Sequence, residues 1–246
     1  MSLQIQGLDK AFGGLRALHH VTFSAKEGLV TSVIGPNGAG KTTLFNVITG
    51  DLKADGGNVF YKGEDITNLP PYKIVRKGIA RSYQIVNIFP KLTVSENVQV
   101  ALISRMGRSP DFISRARNLG QREVTEILNT VGLSDQERSI AETLSYGDQR
   151  IMEIAIALAS RPELLLLDEP TAGMGPQETY ATVELIRSLV KKQRLTILIV
   201  EHDMDVVFSV SDAIVVMHQG EVIANGEPAN VRQNETVIKT YLGEAE

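Results

Sequence analysis

Gly35-Pro36-Asn37-Gly38-Ala39-Gly40-Lys41-Thr42 fits the pattern G-x-x-x-x-G-K-[ST]. Upstream of it, Thr31-Ser32-Val33-Ile34 reads as a strand. Downstream, Thr42 to Ile48 reads as a helix. A strand, a glycine-rich turn and a helix in this order suit a phosphate chain. Glycines admit positive φ and let the backbone approach phosphate oxygens closely. Successive N–H groups then point at the phosphates, and the helix start adds partial positive charge. Lys41 would neutralise charge on the β- and γ-phosphates, and the Thr42 hydroxyl would ligate Mg2+.

Working outward, short apolar runs recur at Leu164 to Leu167, Thr196 to Val200 and Ala213 to Met217. Separated by helical stretches, they predict buried parallel strands with crossover helices. Ile151, Ile154, Ala155 and Leu158 fall at helical spacing. Pro176 suits a first helical position, with Val183, Ile186 and Val190 on the buried face and Lys191, Lys192 and Arg194 at a solvated C-terminal end. The first sixty residues differ. Leu3 to Gln6, Val21 to Ser24 and Asn58 to Tyr61 alternate apolar and polar, which predicts antiparallel strands with one solvated face. From Val94 to Thr143 such runs are missing, and the patterns opening at Ser95 and spanning Glu123 to Val131 read as a helical insertion.

Leu164-Leu165-Leu166-Leu167-Asp168-Glu169 ends a buried run on two carboxylates. Ligands of open α/β sheets bind outside the carboxyl ends of the strands. Asp168 would hold Mg2+ through water, and Glu169 is placed to polarise an attacking water.

Composition bounds the alternatives. Of 246 residues, 43% are hydrophobic and 22% charged, with a net charge of -4. That is globular usage, with no basic excess to attract nucleic acid. There is no cysteine, which excludes disulfides and zinc–thiolate sites. His19, His20, His202 and His218 show no metal-ligand spacing. Met1 to Lys10 lacks an apolar signal core, and no run reaches the roughly 18 apolar residues a spanning helix needs. A cytoplasmic chain reaching a membrane only through a partner is the expectation.

Leu144-Ser145-Tyr146-Gly147-Asp148-Gln149 precedes the Ile151 helix. The order of phosphate loop, Leu-Ser-x-Gly segment, Asp-Glu strand and late histidine resembles the ABC ATPase family over essentially the whole chain. The resemblance implies an α/β fold. A P-loop NTPase (RecA-like) core with an antiparallel β subdomain would span 1–85 and 144–246, with a helical subdomain at 86–143. It implies ATP and Mg2+ as cofactors. Gly35, Pro36, Asn37, Gly38, Ala39, Gly40, Lys41, Thr42 and Thr43 would hold the phosphates, and Phe12 would stack on adenine. Thr42, Asp168 and Gln84 would serve the metal, while Glu169, His202 and Gln84 would serve hydrolysis. Ser145 and Gly147 would contact the γ-phosphate of ATP on another subunit, related or identical.

Three positions depart from the family pattern. Tyr146 replaces a glycine, Asp148 adds a negative charge, and Gly175 stands where an aspartate is usual. Closure of the dimer and communication between its sites are the properties these changes touch.

Within the family, several stretches resemble the ATPase subunits of branched-chain amino-acid importers. They are Phe12-Gly13-Gly14, Asn46 to Gly50, Ala172-Gly173-Met174, Val200 to Met204 and Tyr241-Leu242-Gly243-Glu244. Urea and short-amide importers share much of this pattern. Transmembrane permease subunits and, indirectly, a solute-binding protein are the implied partners, with the chain on the inner face of the membrane. Ile85 to Val94 is a candidate permease groove, with Ile88 and Phe89 either exposed to the partner or part of the helical core. A soluble ABC ATPase and a non-hydrolysing nucleotide sensor are the rival readings. The single phosphate loop and the pair Glu169 and His202 weigh against them.

Overall fold

A computed structural model describes residues 2–82, 88–107 and 120–239. Alternating side chains build the first sheet. Strands β1 (Leu3–Phe12) and β2 (Leu15–Ala25) pair antiparallel, burying Leu3, Ile5, Leu8, Val21 and Phe23 on one face. The chain then crosses to a second sheet through β3 (Val30–Ile34), buried at every position, and enters helix α1 (Lys41–Ile48). Strands β4 (Gly56–Tyr61) and β5 (Glu64–Asp65) return to the first sheet, whose order is β2-β1-β4-β5. The expected antiparallel region is present.

Helix α2 (Pro71–Arg76) leads to the short strand β6 (Ile79–Arg81). Helix α3 (Val94–Arg105) starts on a reciprocal cap: the Glu96 amide donates to Thr93 Oγ1 at 3.1 Å and the Thr93 amide to Glu96 Oε2 at 2.8 Å. Helix α4 (Gln121–Val131) follows, then α5 (Tyr146–Leu158) and strand β7 (Leu164–Asp168). Helix α6 (Pro176–Gln193) begins at the proline as its sequence predicts, and Arg194 ends it in the left-handed region. Strand β8 (Thr196–Val200), helix α7 (Met204–Val210) and the hairpin of β9 (Ala213–His218) and β10 (Glu221–Gly226) complete the core. Two short helices, α8 (Pro228–Arg232) and α9 (Glu235–Val237), follow.

The second sheet has the order β10-β9-β3-β8-β7-β6, parallel except for its edge strand β10. It is the middle layer of three. On β7, Leu165 and Leu167 join a core with Val98, Val124 and Met152 of the helices, while Leu164 and Leu166 join a core with Leu3, Phe23 and Phe45 on the other side. Burial on both faces explains why this run reads as continuously apolar.

Ile88 and Phe89 divide. Ile88 packs against the helical core, whereas Phe89 is exposed. The rest of the expected groove starts at residues 85–87, outside the described residues, as do Gln84 and the Tyr241 to Glu244 ending.

Candidate active site

Strand register brings the site together. Val33 of β3 and Asp168 of β7 both pair with Val200 of β8. Gly35, Glu169 and Glu201-His202 therefore leave the sheet at one rim, the carboxyl rim where ligands of such sheets bind. β3 has β8 on one side and β9 on the other, so the phosphate loop starts where the strand order switches.

Two glycines of that loop permit its path. Gly35 has φ 152° and an added Cβ would lie 2.1 Å from the Met217 carbonyl oxygen; Gly40 has φ 98° and its Cβ would lie 2.3 Å from that of Ala17. No side chain fits at either point. Inside the loop, Lys41 is 6% exposed, and its Nζ donates to the carbonyls of Gly35 at 2.6 Å and Pro36 at 3.0 Å. Burial pulls its pKa below the ordinary lysine value, opposed by the charges of Glu169 and Asp168.

Glu169 sits just past β7 with φ 50°, a left-handed backbone costing roughly 1–2 kcal/mol for a residue with a side chain. Its amide donates to the Val200 carbonyl at 2.9 Å, which holds this turn against β8. Its Oε1 shares a hydrogen bond with His202 Nε2. Such strain at a carboxylate–imidazole pair is characteristic of a functional centre.

Behind this pair lies Glu201, 2% exposed. Its Oε1 accepts from the Thr171 amide at 3.0 Å and the Thr171 hydroxyl at 2.7 Å, and its Oε2 from the His202 amide at 3.1 Å. This carboxylate ties the turn after Glu169 to the backbone of His202. In the sequence it reads only as the residue before the histidine.

A single cavity of about 420 Å³ gathers the predicted residues: Asn37 to Thr43 of the loop, Glu169, His202 and the half-exposed Phe12 at the end of β1. Asp168 lies beneath, 1% exposed. Arg81 NH2 donates to its Oδ2 at 2.7 Å, whereas Oδ1 is buried with no hydrogen-bond partner among the described residues. A bare carboxylate oxygen whose charge reaches Lys41 suits a hydrated divalent cation.

Ser145 and Gly147 are placed apart from that cavity. They begin α5, where the Asp148 amide donates to Ser145 Oγ at 3.1 Å. The three departures find partners here. Tyr146 accepts a hydrogen bond from Arg150 Nε at 3.1 Å. The Asp148 carboxylate is engaged by Gln136 Nε2 at 3.1 Å. The Gly175 amide donates to Glu178 Oε2 at 3.0 Å. Glu178 also reaches Gly147, since a Cβ there would meet its Oε1 at 2.6 Å.

A phosphate loop, a carboxylate–histidine pair and a separate helix start on a three-layer core define an ATP-binding cassette, a class of ATPases. Residues 18–172 match the family model described as ABC transporter, and the chain belongs to that family. It is 42% identical to the high-affinity branched-chain amino acid transport ATP-binding protein BraF of Pseudomonas aeruginosa, covering 99% of this chain and 98% of that protein. Identity to the corresponding LivG protein of Escherichia coli K12 is 41% with the same coverage. Among solved structures, the ADP conformation of the cassette MJ1267 superposes with a TM-score of 0.85 at 32% identity, covering 98% of both chains. A dimeric post-hydrolysis cassette, MJ0796 with ADP and Pi, gives 0.78 at 26% identity over 92% of this chain and 98% of that one. The family is one of nucleotide-binding domains.

Proposed function

We propose that this chain hydrolyses Mg2+-ATP to drive an importer of branched-chain amino acids, docked on permease subunits at the inner face of the membrane. The observation that carries the chemistry is the one cavity lined by Lys41, Thr42, Glu169, His202 and Phe12. The solute follows the names of relatives 41–42% identical over nearly the whole chain.

In this reading the loop amides and the Lys41 ammonium bind the triphosphate, and Phe12 covers the adenine face. Thr42 and Asp168 would hold magnesium, with Gln84 as a further ligand; the ion, when bound, neutralises phosphate charge. Glu169 takes a proton from water as its oxygen bonds to the γ-phosphorus and the bond to ADP breaks. His202 holds Glu169 through their shared hydrogen bond and faces the γ-phosphate. Ser145 and Gly147 close on ATP held by a second cassette, identical or related. The permease is accommodated by a 650 Å³ groove between α2 and α3, lined by Tyr72, Val75, Ala101 and Ser104. Tyr72 and Val75 are exposed there, as partner-binding apolar residues are. Among the described residues no helix is long and apolar enough to cross a membrane.

Glu169→Gln keeps the shape of the site and removes the base. Steady-state hydrolysis should fall by about 10²–10⁴-fold, with ATP affinity within about threefold by calorimetry. Turnover close to wild type would strike Glu169 from this role.

A further inference from the structure

Arg81 belongs to none of the motifs above, yet its side chain is only 4% exposed. A buried guanidinium needs partners to offset its lost hydration. NH2 donates to Asp168 Oδ2 at 2.7 Å, and NH1 donates to Asn46 Oδ1 at 2.6 Å. Asp51 Oδ2 lies 3.7 Å from NH1, and the guanidinium carbon stands 5.4 Å from the centre of the Phe45 ring. Phe45 and Asn46 are on α1, the helix that begins with Lys41 and Thr42. Arg81 thus spans from the helix carrying one proposed metal ligand to the strand end carrying the other.

The division of the Asp168 oxygens gives this span a consequence. Oδ2 is committed to Arg81, and Oδ1 is buried with no hydrogen-bond partner among the described residues. The planar guanidinium, fixed by Asn46 on its other side, sets how the carboxylate is rotated. We infer that Arg81 is a positioning residue for the magnesium site: by holding Oδ2 it fixes the rotation of the Asp168 carboxylate and leaves Oδ1 for the ion before the ion arrives. This rests on the proposed role of Asp168 towards Mg2+. Partners behind metal ligands are worth about 10–100-fold in metal affinity in general.

The test uses the full chain with ADP, which is not hydrolysed. ADP affinity is measured by calorimetry in EDTA, and Mg2+ is then titrated into the ADP complex. Arg81→Met should raise the Mg2+ half-saturation concentration by about tenfold, with EDTA affinity for ADP within about twofold. Arg81→Lys, which keeps the charge but not the fork, should recover part of the loss. Asn46→Ala removes only the second anchor and should raise the half-saturation by about threefold; it carries the test should Arg81→Met fail to fold. Wild-type Mg2+ titration by Arg81→Met, or by Asn46→Ala in that event, would overturn the inference. So would equal losses with and without Mg2+, which describe a strut of the fold. A wild-type ADP complex that ignores Mg2+ would instead bring down the metal reading itself.

Discussion

Two helix starts in this chain are proposed to meet phosphate, and they are built differently. Helix α1 has the left-handed Gly40 as its N-cap, no side-chain cap and no acid in its first turn. Its free amides and Lys41 line a cavity shared with Glu169 and His202. Helix α5 is capped by the Ser145 hydroxyl, carries Asp148 in its first turn and lies off that cavity. The hydroxyl accepts the Asp148 amide, which leaves its proton to donate outward. On the proposed reading the first start is a whole seat for a triphosphate. The second is half a seat, exposed at Ser145 and already satisfied at home. A helix terminus with its amides unfilled recruits an anion by itself, whereas a capped one adds a contact to an anion held elsewhere.

The sharpest way to break this contrast is Lys41→Ala. Removing a buried ammonium assigned to the phosphates should weaken ATP binding by at least about 100-fold, as read by calorimetry on the isolated chain. Unchanged affinity would mean that the α1 start is a glycine turn and nothing more.

Much of this arrangement is legible in the sequence, because the parts around the cavity follow strand ends. Four strands of the middle sheet are buried on both faces, so Val30–Ile34, Leu164–Asp168, Thr196–Val200 and Ala213–His218 stand out as apolar runs. Gly35, Glu169 and His202 each lie one or two residues beyond such a run. Arg81 is illegible for the opposite reason. It ends a strand of three residues, Ile79–Arg81, and no local pattern ties it to Asp168 or Asn46. Glu201 reads as an ordinary polar residue after a strand, and only the return of the chain at Thr171 turns it into a strut. Ile88 and Phe89 are equally apolar neighbours, so composition alone leaves open which of them the core takes.

Ser145→Ala probes the half seat. Loss of the cap should lower stability by about 1 kcal/mol, a fall in Tm of about 2–4 °C at this chain length. Steady-state ATPase should drop by about tenfold, the value of one hydrogen bond to a charged group. ATP affinity of the isolated chain should stay within about twofold, because the hydroxyl is proposed to serve a neighbour's nucleotide. A loss of binding comparable to that of Lys41→Ala would merge the two seats into one and remove the contrast.

The smallest effect concerns how α5 is held at its far end. Glu123 of α4 accepts from Arg105 NH1 at 2.7 Å and NH2 at 2.8 Å, and from Arg161 Nε at 2.8 Å. Arg105 also donates to the carbonyl of Ala159, which ends α5. The half seat is therefore steadied from its C-terminal side by a carboxylate on another helix. The Arg105 hydrogen bonds, joined by that of Arg161, hold the Glu123 carboxyl below its ordinary value of 4.5. A carboxyl depressed in the folded chain adds stability that is complete above its unfolded value and is lost as pH falls through the folded one. Arg161 is largely exposed, so solvent trims the gain. Glu123→Gln should accordingly lower Tm by about 2 °C near neutral pH. The gap between the two proteins should narrow as pH drops below 4.5, the ordinary value at which the unfolded chain takes up the proton, and close as it falls through the lower folded one. A gap that holds constant down that range in thermal melts would assign the effect of Glu123 to packing, and would leave α5 fixed by its apolar face alone.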